Sequence, residues 1–119
     1  MLNPLLQLKE LGQSVWYDDV DRSELLLGFF ERLINEDGIT GATGNPTIFE
    51  QSISNDTAYD EQMQQLLHEG KSAQEVYEAL ALADVKKAAH LLHRIHEQTD
   101  GRDGYESIEA SPFLAHDTA

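Results

Sequence analysis

No cysteine occurs in the chain, which removes disulfides, thiolate metal sites and cysteine nucleophiles together. Basic residues are scarce, 8 against 22 acidic, and the formal net charge of -14 repels phosphate backbones and anionic membrane surfaces alike. Neither nucleic acid nor a membrane is therefore an expected partner. No apolar run approaches the ~20 residues needed to span a bilayer. The first residues, Met1 to Leu11, form an amphipathic stretch without a cleavable signal pattern, so the expected compartment is the cytoplasm. Gly-x-Gly-x-x-Gly, Walker and Gly-x-Ser-x-Gly patterns are absent, so nucleotide binding and serine hydrolysis have no support.

What is present fits one domain. At 119 residues a compact fold buries ~60% to ~70% of the surface its unfolded chain exposes, enough for a single core. The organising stretch is Gly38 to Ser54. A helix-stopping glycine follows Asp37, Ile39 to Thr43 is a β-competent run, and Gly44-Asn45 turns into a segment that Pro46 opens as a helix. Such a turn after a parallel strand stands where α/β proteins build their sites.

The rest of the chain fits around it. Asn3-Pro4 starts a short helix with an apolar stripe of Leu5, Leu6, Leu8 and Leu11, ended by Gly12, which suits a plug at one end of a sheet or barrel. Ser14 to Asp18 reads as a buried strand with Asp18 at its carboxyl end. Asp21 and Glu24 have capping-box spacing, and Leu25, Leu26, Phe29, Phe30, Leu33 and Ile34 predict one helix up to Glu36. With no room for a hairpin, strands one and two are expected to be parallel. Helices follow from Pro46 to about Ile53, from Ala58 to His68, and from the Ser72/Glu75 capping box onward. From about Leu82 to Gln98 the expected inner face is Leu82, Val85, Ala89, Leu92 and His96. Tyr105 to Ala110 is the third strand, with Glu109 at its end. The order α-β-α-β-ααα-β opens either a (β/α) barrel or a doubly wound sheet.

Asp18, Asn45 and Glu109 each fall near the carboxyl end of a predicted strand, where a carboxylate can move protons and an amide can hold a substrate oxygen. The residues alone leave a second reading open, in which Asp18 and Asn45 are helix caps and Glu109 a solvated strand end. The four lysines, Lys9, Lys71, Lys86 and Lys87, all fall away from strand ends and read as solvated charges. His90, His93 and His96 are spaced by three, which turns the outer two ~120° apart on a helix and argues against a shared metal. Asp100 to Asp103 lacks the ligand pattern of an EF-hand.

Gly-Ala-Thr-Gly-Asn-Pro-Thr-Ile-Phe, Gly41 to Phe49, resembles the second-strand signature of transaldolases, with Ala42 and Gly44 where relatives often carry Val and Ser. The likeness extends to Asn3 to Asp19, to Tyr59-Asp60-Glu61-Gln62, to Val76 to Ala81 and to Gly101 to Pro112. It is strongest for the bacterial branch that begins with an extra helix. The resemblance implies an α/β fold, part of a (β/α)8 TIM barrel. It implies transfer of a dihydroxyacetone unit between sugar phosphates through a lysine Schiff base, with no metal and no organic cofactor. It assigns Asp18 as the acid/base aspartate, Glu109 as a water-positioning glutamate, and Asn45 and Thr43 as substrate-binding residues.

The family's Schiff-base lysine lies on the fourth strand, and its phosphate-holding residues lie later still. This chain ends at Ala119, after three predicted strands. The sequence expectation is therefore the amino-terminal portion of a transaldolase, inactive alone. The alternative is a non-catalytic module that self-associates or binds a partner through its open strand edges.

Overall fold

Three short parallel strands carry the fold, β1 (Trp16–Tyr17), β2 (Gly41–Gly44) and β3 (Tyr105–Ile108), in the spatial order β1-β2-β3. The computed structural model describes residues 3–118; Met1 and Leu2 of the amphipathic opening and Ala119 at the end lie outside the described residues. Trp16 and Tyr17 stand beside Gly41 and Ala42, and residues 41–44 stand beside residues 105–108 in unbroken register. The helices are α1 (Pro4–Glu10), α2 (Arg22–Leu26), α3 (Phe29–Asp37), α4 (Pro46–Asn55), α5 (Asp60–His68) and α6 (Ala73–Gln98), with single 3-10 turns at Thr57–Tyr59 and Pro112–Leu114. The fold class is α/β, three parallel strands of a (β/α) barrel with a leading helix and extra helices between β2 and β3.

Local chemistry explains most boundaries. The Asn3 side chain accepts the Leu5 N–H and Pro4 opens α1, whose Leu5 packs on the core. A Cβ at Gly38 would sit 2.7 Å from the Leu6 side chain, so α1 closes over the amino end of β2. Ser72 and Glu75 form the complete reciprocal capping box at the start of α6. Val20, Leu25, Phe30, Ile34, Ile39 and Ala42 meet Ala88, Leu92 and Ile95 of α6 in the main core, while Tyr59, Val76 and Leu80 form a second cluster.

Four details depart from the sequence expectation. The single helix expected from Asp21 to Glu36 is two, because Gly28 takes φ 76° and turns the chain between α2 and α3, leaving Leu26 and Leu27 exposed. The Asp21/Glu24 box is half made: Asp21 accepts the Glu24 N–H, but the Glu24 carboxyl turns instead to the Tyr17 hydroxyl. The strands are shorter than expected, with Asp18 just past β1 and Glu109 just past β3. The buried face of α6 is Ala81, Asp84, Ala88, Leu92 and Ile95, so the helix is turned from the expected face and Leu82 and Ala89 point outward. Alanines let α6 lie close to the sheet, whereas Leu82 would hold it off.

Candidate active site

The rim is built by strand register. One residue past the Tyr17/Ala42 pair, Asp18 comes abreast of Thr43, and the Thr43 hydroxyl donates to Asp18 Oδ1 at 2.5 Å. One residue past the Gly44/Ile108 pair, the Glu109 N–H donates to the Gly44 carbonyl at 3.4 Å, which sets Glu109 beside Asn45. Asp18, Thr43, Asn45 and Glu109 thus follow one another across the carboxyl ends of three adjacent strands. The Asp18 and Glu109 side chains are exposed on the open rim.

Each residue arrives there with part of its bonding already used. Asn45 is the N-cap of α4: its Oδ1 accepts the Ile48 N–H at 3.0 Å, which leaves its Nδ2 amide to donate outward. The cap reading and the site reading are compatible, because they use different atoms. Thr43 spends its hydroxyl proton on Asp18, so in this structure it orients the aspartate. Gly44 must be small, since a Cβ there would lie 2.6 Å from the Phe49 ring.

Beside the rim, a cleft of about 470 Å³ opens between α6 and the segment after β3, lined by Tyr77, Leu82, Ile108, Glu109, Pro112 and Phe113. Burial, then the charges of Glu50 and Glu109, push the Tyr77 phenol upward and keep it protonated. The four lysines are exposed, as the sequence pattern required, and none bonds to a rim residue. Among the described residues no group of three or more His, Asp or Glu side chains is arranged to hold a metal. His90 is exposed, while His96 meets the Tyr105 ring edge-on at 5.2 Å.

Three buried acids escaped the sequence reading. Asp84 pairs with Arg22 at 2.8 Å and accepts the Tyr59 hydroxyl at 2.6 Å. Asp103 ties the amino ends of the strands together, accepting from Ser14 at 2.5 Å and from the Trp16 indole at 3.0 Å. Burial alone would raise its carboxyl, but these donors and the Gly104 N–H outweigh it and hold the group below its ordinary range. Glu106 lies in β3 itself, and no turn or cap motif marks it. A charged residue inside a strand whose neighbour is buried Ala42 is the one available signal, and it needs the register to be read.

Parallel strands, helical crossovers and a polar rim at the strand carboxyl ends define part of a barrel-type α/β scaffold. Comparison with known families places it further: the model for the Transaldolase/Fructose-6-phosphate aldolase family matches residues 15–119, and the chain belongs to that family. It is 39% identical over 117 residues to "Transaldolase 2" of Nostoc sp., covering 98% of this chain and 31% of that protein. Identity is 40% over 118 residues to a transaldolase of Thermobifida fusca, covering 99% and 32%. It is 42% over 117 residues to one of Mycolicibacterium smegmatis, covering 98% and 32%. The chain spans about a third of the length of the curated relatives it matches. No helix among the described residues is long and apolar enough to cross a membrane.

Proposed function

We propose that this chain is one domain supplying the acid/base side of a transaldolase site, acting on sugar phosphates by transfer of a dihydroxyacetone unit. Asp18 moves the proton at the substrate hydroxyl or carbonyl, Thr43 holds Asp18 in place, the Asn45 amide binds a substrate oxygen, and Glu109 positions water. The hydrogen bond from Thr43 to Asp18 carries this reading, because it joins two strand ends at the rim and orients a carboxylate exposed on it. The Schiff-base lysine and the phosphate-holding groups come from outside these residues, so the chain alone is inactive.

The test is borohydride trapping with fructose 6-phosphate, read by intact mass. The chain alone gives no three-carbon adduct. Mixed with a segment carrying the later strands of a transaldolase, it restores turnover, and Asp18→Asn then lowers kcat by ~10²- to 10⁴-fold. An adduct on Lys9, Lys71, Lys86 or Lys87 of the isolated chain refutes the assignment of the nucleophile to another segment.

A second reading rests on the free outer edge of β3. Tyr105 and Ile108 are 46% and 47% exposed and Phe113 94% exposed beside it, an apolar edge suited to pairing with a second copy. It predicts a defined oligomer of the chain, without turnover, in sedimentation.

A further inference from the structure

Glu106 has no part in the rim. It stands abreast of Ala42, which is fully buried in the core cluster that also holds Ala88 and Leu92 of α6, so Glu106 lies on the face of the sheet that the helices cover. Both its carboxyl oxygens are sealed from solvent, and neither has a hydrogen-bond partner. Small neighbours make the room: Ala42 is beside it, and a Cβ at Gly44 would lie 3.5 Å from its Oε1. A neutral carboxyl tolerates such a place, whereas a carboxylate with no donor does not.

Among the described residues, none of the charged and titratable groups on the packed elements bonds to the Glu106 carboxyl, and the one that meets β3 is His96 of α6, whose ring stands edge-on to Tyr105 at 5.2 Å. On α6, Asp84 is held by Arg22 and Tyr59, Tyr77 responds to Glu50 and Glu109, and Lys86 and Lys87 are exposed. On α4, Glu50 is exposed, and residues 41–44 of β2 carry no charge. Burial is the one influence on the Glu106 carboxyl, which it pushes up to about 7. β3 is also an edge strand, bonded on one side to β2 and covered on one face by α6.

We infer that Glu106 is a proton-dependent latch on β3: protonated, it packs the strand against α6, and ionised, it draws the strand off the helix layer. The folded-state pKa lies above the ordinary 4.5, so the folded chain holds the proton more tightly than the unfolded one. Packing of β3 is therefore strongest at and below that value. It weakens as pH rises towards about 7 and is level beyond. Because Glu109 follows three residues later, release of β3 also loosens its bond to the Gly44 carbonyl, whatever chemistry the rim performs.

The experiment uses the whole chain carrying ¹³C at its glutamate carboxyls, titrated by NMR alongside amide exchange of residues 105–108. Two carboxyls titrate near neutrality, of which one is missing from Glu106→Gln and the other from Glu24→Gln. Intrinsic-rate-corrected protection of the β3 amides falls about tenfold to a hundredfold from about pH 5 to about pH 8.5 in the wild type, and stays level in the variant. Glu24→Gln, which removes the other carboxyl pushed to about 7, leaves the β3 response intact. Should Glu106→Gln not fold, Glu106→Leu, which needs no donor, takes its place and gives the same level profile. A Glu106 resonance that titrates with the ordinary carboxylates, or a fall in β3 protection that persists in Glu106→Leu, overturns the latch.

Discussion

Replacing Asp84 by alanine is expected to cost this chain more stability than any other single truncation of a side chain in α6. The carboxylate is 2% exposed and the guanidinium of Arg22 11% exposed. Asp84 Oδ1 accepts from Arg22 Nε at 2.8 Å and its Oδ2 from the Tyr59 hydroxyl at 2.6 Å. The Tyr59 oxygen in turn accepts the Arg22 N–H at 3.0 Å, and the guanidinium lies 4.3 Å over the Tyr59 ring. Asp84→Ala therefore strands a buried cation and a buried phenol, and breaking a buried pair in this way costs about 3–5 kcal/mol. Of a total stability of roughly 5–15 kcal/mol for a domain, that is at least about a fifth. Tyr59→Phe removes the charge-assisted bond to Asp84 and the acceptor of the Arg22 N–H but strands no charged partner of its own, and costs less, about 1.5–3 kcal/mol. The double replacement Arg22→Met with Asp84→Leu leaves no orphan charge and recovers most of the loss, since apolar substitutes for a buried pair are often near neutral. The assay is urea unfolding by circular dichroism for the wild type and these three variants, with the single replacements Arg22→Met and Asp84→Leu added to close a double-mutant cycle. Asp84→Ala within about 1 kcal/mol of wild type, or a cycle with no coupling, refutes the reasoning.

Gly104→Ala should be among the most damaging glycine substitutions, because φ is 86° and the new Cβ would fall 2.3 Å from the His96 backbone nitrogen; a cost of about 3 kcal/mol or more is expected in the same unfolding assay. Gly28→Ala meets nothing within 4 Å and bears the left-handed backbone alone, about 1–2 kcal/mol, so equal costs at the two sites would refute the steric argument. Burial first, then Asp21 and Asp19, push the Glu24 carboxyl to about 7 against the downward pull of its bond from Tyr17. Its folded value exceeds the ordinary 4.5, so it lowers stability as pH rises through that interval, and Glu24→Gln should flatten that part of the urea-midpoint profile. Thr43→Val in the complemented enzyme should lower kcat with KM nearly unchanged, and Thr43→Ser should rescue it; a matched loss in Thr43→Ser argues against the hydroxyl bond to Asp18.

The rim was legible because its residues sit at punctuation. Pro46 and Gly44 mark the turn after β2, Asp18 follows a run of strand formers, and Ser111-Pro112 closes the segment after β3, so the carboxyl ends were found although the strands proved shorter. The helix layer was less legible for a physical reason. On α6 a period-3.6 pattern admits two faces, and the choice by hydrophobicity favours Leu82 and Ala89 over Ala81 and Asp84. Packing distance reverses that choice: alanines let the helix approach the sheet, and Asp84 is drawn inward by Arg22, a residue 62 positions earlier. Gly28 shows the same limit, since a glycine inside an apolar helical period is silent until φ is known. Glu106 needed the strand register before its burial could be recognised at all.

Charge decides what any complete site of this kind must bring to the rim. Arg22 is locked to Asp84, Arg94 reaches Asn35, and Arg102 donates to the Thr99 carbonyl. Arg32 lies over the Phe29 ring, and the lysines are exposed on helices and turns. Among the described residues, then, no cation is bonded to Asp18, Thr43, Asn45 or Glu109. A rim carrying two carboxylates within a chain of net charge -14 repels a sugar phosphate unless cations are added. On the proposed function, whatever completes the rim must therefore supply basic side chains for the phosphate as well as the nucleophile. Association with such a basic segment should be fastest at low ionic strength and slow steeply with salt, whereas pairing of two copies of this acidic chain should strengthen with salt as their mutual repulsion is screened. Salt dependence thus separates completion by a basic segment from self-pairing by opposite signs.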